Sequence, residues 1–143
     1  MESNYLNQLQ EVLDNENNDS IMSLTSQKIS EYKNNILQKL NQPKNKLIEF
    51  NKKLKGYRYV DELQHLKYGS YIKWISLVDP EKIKLTQGGV LLEVLLNNNG
   101  ISLIIKLFNK VRISIDFDKC LVFQKITNQE KIILHALDYL NKD

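Results

Sequence analysis

Residues 90–108 read VLLEVLLNNNGISLIIKLF, two apolar runs around an Asn-rich turn, and the pairing of these runs decides the fold. Asn99-Gly100 is the pair a two-residue type I′ turn prefers, because both central positions need φ > 0 and these residues adopt it at least cost. A turn there sets Leu96 opposite Leu103, Val94 opposite Ile105 and Leu92 opposite Leu107, with Glu93 across from Lys106. Looping out Asn97 to Gly100 instead faces Glu93 with Ile104 and forfeits a cross-strand ion pair of about 0.2–1 kcal/mol. The Asn99-Gly100 register is therefore expected. The other face, Leu91, Leu95, Ile104 and Phe108, extended by Leu121 and Phe123, is also apolar. It needs a cover from the helices of the same chain or from another molecule.

Further strands flank this hairpin. Residues 71–78 place Ile72, Trp74 and Val78 against Tyr71, Ile75 and Leu77 until Asp79-Pro80 stops the run. After Phe108, Val111, Ile113, Ile115 and Phe117 alternate with Arg112, Ser114 and Asp116, which predicts a three-residue loop around Asn109 to keep the apolar sets aligned. A fifth strand, 120–126, is expected to pair through an Asp118-Lys119 turn, with Ile115 opposite Val122. Thr127-Asn128-Gln129-Glu130 is a capping box, and the helix behind it is expected to bury Ile132, Ile133, Ala136, Leu137 and Leu140. Five strands in meander order, with no helix between the third and fourth, favour an SH3-like barrel over an OB-fold.

Upstream the periodicity is helical. Tyr5, Leu6, Leu9, Val12 and Leu13 form a short amphipathic segment. Ile29, Tyr32, Ile36 and Leu40 recur at three- and four-residue intervals, and a further helix after Pro43 carries Leu47, Ile48, Phe50 and Leu54 up to Gly56. The expected class is α+β. A helical arm (1–56) leads through a connector (57–70) to a five-stranded antiparallel SH3-like small β-barrel with a C-terminal helix (71–143). The arm's apolar stripe is narrow, which suits a seam with one partner helix. Ile29, Tyr32, Ile36, Leu40, Leu47 and Leu54 are its candidate oligomerisation residues.

Charge divides the chain in the same place. Residues 1–25 carry five acids and no Lys or Arg, residues 26–60 carry nine basic groups against two acids, and the remainder is nearly neutral, for a net charge of +3. The basic segment 28–58, with Lys44, Lys46, Lys52, Lys53, Lys55 and Arg58 beside aromatic residues, offers an alternative nucleic-acid-binding surface. Tyr57, Tyr59, Tyr68, Tyr71 and Trp74 are a candidate aromatic patch for a peptide or methylated lysine.

Catalytic signals are absent. Asp116 and Asp118 are explained by strand alternation and a turn, His65, His135 and Cys120 lack metal-ligand spacing, and Gly88-Gly89 lacks the rest of a phosphate loop. No catalytic, cofactor, metal or small-molecule site is expected, and no enzymatic activity. A single cysteine, with no signal peptide or membrane-length apolar run, points to the cytoplasm.

The runs LKYGSYIKWISL, LTQGGVLLEV and FQKITNQEKIILHALDYL resemble uncharacterised small proteins of nucleocytoplasmic large DNA viruses of the mimivirus type. The resemblance covers about 63–140, leaves the arm unmatched and carries no functional residues over. It implies a component of virions or cytoplasmic viral factories. The residues together predict a non-enzymatic interaction or scaffold protein that self-associates or docks a protein partner through its arm, with the barrel presenting a binding surface.

Overall fold

The computed structural model describes residues 25–140, so the amphipathic segment at 4–13 lies outside the described residues. These residues form two compact units, one of residues 36–125 and one of residues 25–35 with 126–140. Helix α1 spans Ser26–Gln38, α2 spans Lys44–Lys53, and α3 spans Asn128–Leu140.

The larger unit is a six-stranded antiparallel open sheet, with β1 (Tyr57–Val60), β2 (Tyr71–Ser76), β3 (Gly89–Asn97), β4 (Gly100–Lys106), β5 (Arg112–Asp116) and β6 (Cys120–Lys125) in the order β1-β6-β2-β3-β4-β5. This corrects the five-stranded barrel. Two causes can be named. Tyr57–Val60, within the segment read as a connector, is a strand that pairs with β6, with Tyr59 opposite Phe123. Phe117–Lys119 form a 3-10 turn in place of a tight hairpin. That turn leads β6 onto β2, so Val122 stands opposite Trp74 and not Ile115.

The β3–β4 hairpin adopts the register set aside above. Asn97 pairs with Gly100, Glu93 faces Ile104, and a bulge between Leu91 and Glu93 brings Leu91 opposite Ile105 and Val90 opposite Lys106. The Asn97 side chain supplies the reason. Its Oδ1 accepts the Asn99 N–H at 2.9 Å and its Nδ2 donates to Ser102 Oγ at 3.2 Å. This Asx turn satisfies the corner without positive φ at Asn98 or Asn99, leaving only Gly100 at φ +124°. The Glu93–Lys106 pairing is lost, and the bulge turns Leu91 into the core, where it is fully buried. The three-residue loop after Leu107 is present, with Lys110 at φ +67°.

Both sides of the sheet carry a core. On one side Ile72, Trp74, Leu91, Leu103, Ile105 and Val122 pack together, flanked by Leu63, Leu66, Ile113 and Ile115. On the other, Tyr57, Ile75, Leu121 and Phe123 pack against Phe50 and Leu54 of the α2 segment and Leu37 of α1. The cover that the Leu121 and Phe123 side required is the chain's own helical segment. Lys73 pins it further, with Nζ donating to the Lys53 carbonyl at 2.9 Å and lying 4.9 Å from the Tyr57 ring centroid. Its charge there meets the negative end of the α2 dipole.

In the smaller unit, Ile29 of α1 packs with Ile126 and with Ile133 and Leu134 of α3. The capping box forms as read. The Glu130 N–H donates to Thr127 Oγ1 at 3.1 Å, and the Thr127 N–H donates to Glu130 Oε1 at 3.0 Å. The buried face differs from expectation: Leu134 is buried, whereas Ile132 and Leu140 are exposed.

Candidate interaction surface

Among the described residues, strand β5 is the open end of the sheet, paired on one side only. Its register sets Arg112 against Lys106, Ile113 against Ile105, Ser114 against Ile104, Ile115 against Leu103 and Asp116 against Ser102. Next in the ladder, the Leu107 N–H donates to the Val111 carbonyl at 2.9 Å. Hydrogen-bonded and non-bonded pairs alternate along an antiparallel ladder. Val111, Ile113 and Ile115 therefore aim their backbone groups at β4, while Arg112, Ser114 and Asp116 aim theirs at the open edge. The same three residues are solvent-exposed. Ile113 and Ile115 lie half-buried on the core side, and Val111 beside them is 50% exposed.

The charges along this edge are ordered. Arg112 sits beside Lys106, a like charge, and has no acidic partner among the described residues. Asp116 meets Lys119 at 3.4 Å, with both side chains more than half exposed, a contact of little energetic weight in solvent. Leu77, Val78, Asp118 and Lys119 line an open cleft of about 350 Å³. Leu95 and Phe108 of the hairpin's outer face remain uncovered, Phe108 at 82% exposure.

The sequence-predicted site residues fall elsewhere. Of the proposed seam, Leu54 and Ile29 are buried and Ile36, Leu40 and Leu47 are half-buried against the chain's own core, which leaves Tyr32 exposed at 54%. A stripe narrow enough for one partner helix is equally suited to lying on one side of a sheet, and that is where Ile36, Leu40, Leu47 and Leu54 are spent, while Ile29 packs with α3. Of the basic set, Lys44, Lys52 and Lys55 are exposed and Lys46 is half-buried 5.9 Å from the Phe50 ring centroid. Lys53 pairs with Glu49 at 2.8 Å. Arg58 is buried on a strand at 3% exposure, so it is not a phosphate contact in this conformation. The aromatic patch is divided by the sheet: Tyr57, Tyr59 and Tyr71 belong to the helix-covered side, Trp74 to the opposite core, and Tyr68 is exposed in a loop.

Two features escaped the sequence reading. Buried Gln124 accepts the Lys67 N–H through Oε1 at 2.8 Å and donates from Nε2 to the His65 carbonyl at 3.0 Å, tying the 62–67 turn to β6. A glutamine in a strand gives no hint of this, since its partners are backbone atoms 57 and 59 residues away. The ordering of charge on β5 is present in the sequence, but alternation alone does not mark the strand as an edge. Cys120 is half-buried, and burial followed by the nearby Asp116 charge pushes its thiol up to about 11, opposite to what a nucleophilic cysteine requires. Among the described residues no group of three or more His, Cys, Asp or Glu is placed to hold a metal. No helix among them is long and apolar enough to cross a membrane.

Comparison with protein-family models, curated proteins and solved structures found no match.

Proposed function

We propose that this chain is a non-enzymatic interaction protein whose docking surface is the open β5 edge of its sheet. The observation that carries this reading is the pairing state of β5: a five-residue strand with one backbone edge bonded to β4 and the other exposed at Arg112, Ser114 and Asp116. An unpaired edge of this kind accepts another strand through main-chain hydrogen bonds, with alternate side chains supplying specificity. Within the described part of the arm, Leu37, Phe50 and Leu54 pack against the sheet of the same chain. Photo-crosslinking tests the proposal. A photoreactive residue at position 114 should give discrete protein adducts in extracts, whereas one at exposed Lys84 should not. Absence of adducts at 114, or equal yields at both positions, would reject the edge as a docking surface.

A second reading has one observation in its favour, the exposed Lys44, Lys52 and Lys55 around α2, where Glu49 is the single acid. It requires retention on DNA or RNA at low salt that is lost on charge reversal of these three lysines. The single cysteine supports a cytoplasmic setting, and the residues quoted for the viral resemblance support a virion or viral factory.

A further inference from the structure

Resting on the edge reading, we infer that the strand docking on β5 is β5 of a second copy of this chain, paired antiparallel about a two-fold axis through Ser114. The edge sequence is Arg112-Ile113-Ser114-Ile115-Asp116, and it is complementary to its own reverse. With Ser114 opposite Ser114 of the second copy, Arg112 faces Asp116 of the second copy and Asp116 faces its Arg112, both on the solvent side of the sheet. On the core side Ile113 faces Ile115 of the second copy, and the reciprocal contact repeats it.

The backbone selects the same register independently. Only Arg112, Ser114 and Asp116 direct N–H and C=O groups outward, so an added strand bonds well only where its own outward-directed residues meet these three. Pairing Arg112 with Ser114, or Ser114 with Asp116, uses two of the three positions. Pairing Arg112 with Asp116 and Ser114 with itself uses all of them. Backbone parity and side-chain charge thus agree on one arrangement, and the arrangement is isologous, as a two-fold dimer requires.

The neighbouring residues fit this occupant better than an unrelated strand. Arg112 lies beside Lys106 with no acid partner among the described residues, so an incoming carboxylate relieves a like-charge pair. Along the core side the row extends to half-exposed Val111 and to Phe117. Phe117, which opens the 3-10 turn after β5, and Val111 flank the paired strands at their two ends.

Light scattering on the full chain across micromolar concentrations tests the inference, since an edge-to-edge interface is small and belongs to the weaker class of associations. Wild type should shift from monomer to dimer with concentration. Arg112→Asp places two carboxylates opposite two carboxylates and Asp116→Arg places two guanidinium groups opposite two, so each variant alone should weaken dimerisation at least tenfold. An equimolar mixture should restore it, because each acidic edge then meets a basic one. Ser114→Pro removes an outward N–H without touching the β4 ladder and should remain folded by circular dichroism while staying monomeric. A wild type that is monomeric throughout, single variants that dimerise as wild type does, or a mixture no tighter than its components would overturn the inference. If position 114 crosslinks to a different protein while the chain stays monomeric, the second-copy inference fails and the docking edge survives. If position 114 gives no adduct, both fail.

Discussion

Leu54→Ala separates a helical arm that builds the fold from one that awaits a partner. Leu54 is fully buried among Leu37, Phe50, Tyr57, Ile75, Ile83, Leu121 and Phe123. Truncation removes three carbons, a transfer loss of about 2.4 kcal/mol at roughly 0.8 kcal/mol each, and the cavity left in a rigid neighbourhood raises the total to about 3–4 kcal/mol. With a denaturant dependence of about 2 kcal/mol/M, the urea midpoint should fall by roughly 1.5–2 M. Tyr32→Ala, at a 54% exposed position of the same proposed seam, should shift stability by less than about 0.5 kcal/mol. Urea titration followed by circular dichroism measures both, with light scattering on the same samples. If Leu54→Ala leaves the midpoint unchanged but dissociates an oligomer, the arm is an intermolecular seam and the packing described above is wrong.

Gly89 has an ordinary φ but no room, because a Cβ there would stand 2.5 Å from the Lys106 carbonyl oxygen and 2.7 Å from Ile105 Cγ2. Gly89→Ala should cost about 1–3 kcal/mol by prising β3 from β4, read as a lowered urea midpoint. Thr127→Ala deletes the acceptor for the Glu130 N–H and should cost about 1 kcal/mol, whereas Thr127→Ser should recover most of it in the same titration. The Cys120 thiol, raised from its ordinary 9.0 to about 11, should react slowly with iodoacetamide at pH 8 in the folded protein and much faster in urea. Its sign in stability follows from linkage: the unfolded chain loses this proton first, so wild type should lose stability between pH 9 and about 11 relative to Cys120→Ala. A flat difference between the two proteins over that range would contradict the assignment.

Local signals in this sequence were legible where one short-range interaction settles the geometry. The capping box at Thr127–Glu130, Pro43 ahead of α2, and the three-residue loop before Val111 each depend on residues within a few positions of one another. The β3–β4 register was misread because two short-range interactions competed. A Glu93–Lys106 pair was set against an Asn97 side chain that builds the corner and bonds Ser102, and at an exposed site the hydrogen-bonded turn outweighs the screened ion pair. The sixth strand was hidden for a different reason. Tyr57–Val60 is too short to show alternation, and its strand character comes from β6, more than sixty residues away in sequence. The arm's role was ambiguous in principle, since an apolar stripe one residue per turn wide records that something covers it and not whether the cover belongs to the same chain.

The two edges of the sheet also determine how an assembly would grow. β1 is four residues long, and Tyr57, Arg58 and Val60 are all buried, so it offers no exposed row for an incoming strand. β5 is exposed at every second residue. A head-to-tail pairing of β5 with β1 would propagate into a filament, the hazard that open sheets carry. A blunt β1 would block that route, and a self-pairing β5 would consume the one exposed strand edge among the described residues of each copy at once. Growth would then stop at two. Charge on an edge strand is usually a means of refusing partners, but here Arg112 and Asp116 sit at equal distances on either side of Ser114. Such an arrangement would refuse strands of uniform charge and admit one that carries the same pair in reverse, so the specificity of the proposed edge and its protection from aggregation would come from the same two side chains.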